Sequence, residues 1–108
     1  MKLGELQEAF SVAHGKLLLC ATENGYGIRQ KHLMRCKNCH IGKKNSVHKS
    51  SLAIDIRLTI DGTLVEYIEN HIWEADYNML HDYWDSLGGA PRIAGDLGHF
   101  SFKYHGMW

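Results

Sequence analysis

Apolar and polar positions alternate most regularly where "SVHKSSLAIDI" runs on into "RLTI". Leu52, Ile54, Ile56 and Leu58 fall on one side of the alternation, and Ala53, Asp55 and Arg57 on the other. A period of two marks a half-buried strand, so residues 51–60 are read as the best strand of the chain. The Asp61-Gly62 pair that follows signals a tight hairpin turn, with residues 63–68 as the return segment. Leu3, Leu6, Phe10, Ala13 and Leu17 recur at helical spacing and predict a helix over 3–14 that ends near Gly15. Residues 16–22 read as a short buried strand, 23–27 as a turn, 28–36 as a short helix and 36–46 as a polar loop. Met79, Leu80, Tyr83, Trp84 and Leu87 form a second helical stripe, which predicts a helix over 74–87 stopped by Gly88-Gly89. A loop over 90–98 then leads into "HFSFKY", a last strand over 99–104. This order of elements predicts an α+β fold, a small antiparallel sheet covered on one face by two helices.

The chain has 108 residues, so one domain spanning 1–108 is expected. Twelve basic and twelve acidic residues cancel, and net charge favours no partner. The charges are segregated, however. Residues 29–49 hold seven Lys or Arg and no carboxylate, while residues 61–85 hold seven carboxylates and no Lys or Arg. Two solvated faces are the simplest reading, and a basic face toward a polyanion is the second. No run of about 18 apolar residues is present, so no membrane insertion is expected. Residues 16–21 are too short and too deep for a secretory signal, which places synthesis in the cytoplasm. The three cysteines cannot close a disulfide framework and suit a reducing compartment.

Eight histidines prompt a search for a metal site. Asp55 lies off the apolar side of its strand, and His99 opens the last strand. If the two strands are neighbours, these side chains can meet on the open face of the sheet. His48, in the loop before residue 51, can fold over that face. Two imidazoles and a carboxylate make a three-ligand zinc site with a position left for water. Asp96, three residues before His99, would place a carboxylate beside the ion as a general base. Each residue also has an ordinary reading as a surface histidine, a paired charge or a turn residue. Spacing alone does not separate the two.

"SVHKSSLAID" resembles the Ser-x-His-x-x-Gly-x-Ala-x-Asp motif of the M15 zinc peptidases, with Ser46, His48, Ala53 and Asp55 on the motif. "DLGH", residues 96–99, followed by "FSF", is similar to the second signature of that family. "YWDSLGG", residues 83–89, resembles the segment that precedes it in small phage members. The resemblance covers about residues 41–102. It implies an M15-type fold, zinc on His48, Asp55 and His99, and Asp96 as the base that takes a proton from the attacking water. It also implies a peptidoglycan stem peptide as substrate, cut at an L-Ala-D-Glu or D-Ala-containing bond. The protein would then be a monomeric phage or prophage endolysin that reaches the wall after release, or a lysin carried on the virion. Ser51 stands where the motif has Gly, and the base is Asp rather than Glu. The family's substrate-clamping Arg has Arg29 as its nearest counterpart. Ser46 and Trp84 are candidates for the substrate side of the cleft, Trp84 also reading as a core aromatic.

"CKNCH", residues 36–40, matches a haem-attachment pattern in form, but attachment requires export. Cys36, Cys39 and His40, with Cys20 or His32, are candidates for a second, structural zinc. An ordinary loop with free thiols is the simpler reading. A Cys/His nucleic-acid-binding module is the competing function, although the basic run lacks aromatics that would stack bases. An inactive protein that only binds wall peptides is a third reading. His14, His32, His71, His81 and His105 read as ordinary polar residues.

Overall fold

A computed structural model describes residues 2–30 and 52–108. Helix α1 spans Leu3–Glu23 and buries Phe10, Ala13, Leu17 and Ala21. The expected stop at Gly15 and the expected strand over 16–22 are both overturned. Gly15 is exposed and meets nothing within 4 Å where a Cβ would stand. A glycine inside a helix costs about 1 kcal/mol against alanine. Burying a leucine returns about 1.5–3 kcal/mol, and Leu17 is fully buried in phase with Phe10 and Ala13. Tertiary burial therefore carries the helix through its weakest residue.

Strand β1, Gly27–Gln30, stands where a short helix over 28–36 was expected. The rest of that range lies outside the described residues. Strand β2 is Ala53–Ile60, as the alternation predicts. Asp61 and Gly62 have φ of 50° and 82°, the paired positive values of the tight turn expected from Asp-Gly. Strand β3 is only Thr63–Leu64, and a short 3-10 turn, Val65–Tyr67, replaces the remainder of the return segment. Helix α2 spans Trp73–Ser86 and ends at Gly88, φ 85°. Strand β4, His99–Ser101, is shorter than the expected 99–104. Beyond it Phe102 N–H still donates to Leu52 O at 2.9 Å.

The sheet is antiparallel throughout, with β2 at its centre. β1 lies along one edge, from Gly27↔Thr59 to Gln30↔Ile56. Two strands share the other edge. β4 covers one half, with Asp55 opposite His99, and β3 covers the far end at Thr59 and Ile60. In the gap between them Leu58 N–H donates to Tyr77 Oη at 3.0 Å, and Tyr77 donates in turn to Glu66 at 3.1 Å. A side chain from α2 thus fills the place of a missing strand partner.

Ile54, Ile56 and Leu58 meet the buried stripes of both helices in one core, together with Phe100 and Phe102. The architecture is α+β, as expected. Among the described residues no helix is long and apolar enough to cross a membrane.

Candidate functional site

Register alone brings Asp55 and His99 together, because they face each other across the β2–β4 pair. His99 Nδ1 and Asp55 Oδ1 are 3.1 Å apart. His99 is buried, Asp55 is half-buried and Asp96 is exposed at the rim. One ligand atom from each lies within 4.8 Å of the other two, so the group can hold a metal ion. Two atoms each about 2.1 Å from a tetrahedral zinc stand roughly 3.4 Å apart. The observed Asp55–His99 spacing of 3.1 Å is close to that. One imidazole with two carboxylates is also a donor set that suits zinc.

The turn that carries Asp96 is fixed to β2. Asp96 N–H donates to Ile93 O at 3.0 Å, His99 N–H to Asp96 O at 3.2 Å, and Ile56 N–H to Gly98 O at 2.9 Å. The last contact explains the glycine of "DLGH". A Cβ on Gly98 would stand 2.4 Å from Ile56 O, so only glycine lets the two backbones approach this closely.

A cleft of about 350 Å³ opens beside the group. Asp55, Asp96, Arg57, Glu66, Trp73 and Tyr77 contribute to its lining. Arg57 is the only cation among the described lining residues, and it pairs with Glu66 at 3.2 Å. Burial, with the Glu66 carboxylate alongside, pushes the Tyr77 hydroxyl up to about 12. A larger groove of about 600 Å³ lies between Leu6, Ala9 and residues 87–91. Lys103 is the only ionisable residue among its described lining residues, so the chemistry points to the smaller cleft.

The structure does not bring every expected residue here. Trp84, expected at the cleft, is fully buried. Its Nε1–H donates to Ser101 O at 2.9 Å, and its ring packs edge-on to Phe10 and Phe100, so it is a core residue. Arg29 lies opposite Arg57 on β1, but its guanidinium donates to Gly62 O at 3.3 Å, and it is not among the residues lining the cleft. Ser46, His48, Cys36, Cys39, His40 and His32 lie outside the described residues.

The acidic run of 61–85 is not a single solvated face. Glu66 holds Arg57, and Asp82 and Asp85 hold Arg92 at 2.7 and 2.9 Å. Asp76 is buried and accepts from Tyr26 Oη, while His71 Nε2 lies 2.5 Å from its second oxygen. Sequence reading missed Arg57, Glu66 and Tyr77 in the cleft, and His81 behind it. Arg57 alone carried a signal, since it shares the strand parity of Asp55 two residues away. Comparison with family models, curated proteins and solved structures finds no match to this chain.

Proposed function

We propose that the protein is a zinc peptidase of M15 type acting on peptidoglycan stem peptides. The observation that carries the reading is the convergence of Asp55, Asp96 and His99, with both carboxylates lining the cleft. Asp55 and His99 would hold the ion, joined by His48 on the strength of the motif. A bound zinc ion supplies Lewis acidity and brings the pKa of water toward neutrality. Asp96 supplies the proton chemistry. It is exposed, so it can exchange protons with solvent, and it is close to both proposed ligands. It accepts a proton as the water oxygen attacks the scissile carbonyl carbon, and returns it to the amine nitrogen as the C–N bond breaks. Arg57, which lines the cleft, would take the role expected of Arg29, offering a guanidinium to a substrate carboxylate or carbonyl. The substrate would be an L-Ala-D-Glu or D-Ala-containing peptide, met at the cell wall as by a phage or prophage lysin.

Metal content and muropeptide cleavage, measured on wild type and Asp96→Ala, test the reading. Zinc in both proteins with cleavage by wild type alone supports it. Zinc in both with cleavage by neither leaves a binding protein without this activity. A wild type that takes up no zinc ends the reading.

A further inference from the structure

We infer that His81 sets the distance between Asp96 and the Asp55–His99 pair. The inference rests on the reading of those three side chains as the reacting site. His81 touches none of the reacting atoms and is a positioning residue.

Helix α2 carries two stripes. Tyr77, Leu80 and Trp84 face the core. Asn78, His81, Asp82 and Asp85 follow one another at i, i+3, i+4 and i+7 and so share a second face. This polar face grips the loop that carries Asp96. Arg92, at the start of the loop, donates to Asn78 Oδ1 at 3.0 Å and to Asp82 and Asp85. His81 Nε2 lies 2.7 Å from Leu97 O, at the end of the loop. Arg92 and Leu97 are thus both tied to one helix, and Asp96 lies between them.

The three carbonyls from Asp96 to Gly98 show why His81 matters. Asp96 O accepts from His99 N–H, and Gly98 O accepts from Ile56 N–H. Both bonds are backbone to backbone. Leu97 O is held by a side chain, that of His81. A carbonyl only accepts, so Nε2 carries the hydrogen. Burial pushes the imidazole below its ordinary pKa and favours the neutral ring. The ring also stacks on Phe100, with centroids 4.1 Å apart and planes 13° from parallel. One fully buried imidazole therefore holds the residues on both sides of His99.

The test compares His81→Leu and His81→Gln with wild type. The glutamine amide can place an N–H near the Nε2 position, and leucine cannot donate. The first readout is exchange of the His99 amide hydrogen in metal-free protein, which does not require a working site. His81→Leu is expected to exchange about 10-fold faster, and His81→Gln to return close to wild type. The second readout is cobalt(II) affinity from the visible spectrum. It is expected to weaken by about 10- to 100-fold in His81→Leu and to recover largely in His81→Gln. If His81→Leu does not fold, His81→Asn replaces it, since its shorter amide falls short of Leu97 O. A lowered melting temperature with neither readout changed overturns the inference. So does a glutamine variant that behaves like leucine. A wild type that binds no cobalt ends the metal reading instead, and the exchange comparison still decides whether His81 holds the turn.

Discussion

Two polar clusters in this small protein use the same side-chain types to different ends. In one, Tyr26 and His71 each meet one oxygen of the buried Asp76. Hydrogen positions and carboxylate oxygens balance, and the cluster ties the segment before β1 to the start of α2. In the other, among the described residues, the carboxylates of Asp55 and Asp96 converge on the His99 imidazole, with Asp96 open to solvent. Like charges brought this close repel each other unless a cation or a proton joins them. A histidine–aspartate contact alone therefore says little about function. One carboxylate shared by two donors makes a brace, whereas two carboxylates drawn together at a solvent-open rim make a site that can take a cation.

The division can be broken most directly at Asp96. Asp96→Ala should lower peptide turnover by about 10²- to 10⁴-fold, with the urea midpoint of unfolding essentially that of wild type. Asp76→Ala should give the reverse pattern. Removing an acceptor shared by two half-buried donors should cost about 1–3 kcal/mol in urea unfolding, with cobalt affinity retained below the melting transition. A folded Asp76→Ala protein without metal affinity would merge the two clusters into one functional unit. Gly98→Ala tests how far the site depends on strand approach. Its methyl group would force β4 away from Ile56, at about 1–3 kcal/mol of stability, and metal affinity should fall with it.

The smallest effect is a pH dependence of the closed cluster. Burial and the neighbouring Asp76 carboxylate push the Tyr26 hydroxyl from 10.0 up to about 12. The folded protein therefore keeps a proton that the unfolded chain has released. The stability this contributes is complete below pH 10 and is lost as pH rises toward about 12. Urea unfolding across that window should fall less steeply in Tyr26→Phe. An unchanged slope would remove Tyr26 from the brace.

Strand β2, its Asp-Gly turn, helix α2 and the meeting of Asp55 with His99 were all legible in the sequence, because each rests on short-range periodicity or on strand parity. The continuation of α1 was not. A local signal at Gly15 was outweighed by burial of Leu17, which depends on partners far along the chain. The polar stripe of α2 was hidden for a different reason. Helical periodicity is read from apolar residues, and Asn78, His81, Asp82 and Asp85 look like a solvated face until Arg92 and Leu97 are brought against them. The carboxylates of 61–85 misled in the same way. Their cations, Arg57 and Arg92, lie outside the most acidic stretch on either flank or on a facing strand.

The hydroxyl of Tyr77 in the gap along β2 has a consequence for anything that enters the cleft. The inward edge of β2 offers no free rung there. Ile56 N–H is taken by Gly98, Leu58 N–H by Tyr77, and Ile60 faces Thr63. An extended guest chain therefore cannot pair with this edge of β2 as an added strand. Under the proposed function, a peptide in this cleft would be selected there by the groups it carries rather than by strand pairing with β2, which would favour short, chemically distinctive peptides over any unfolded polypeptide that drifts past.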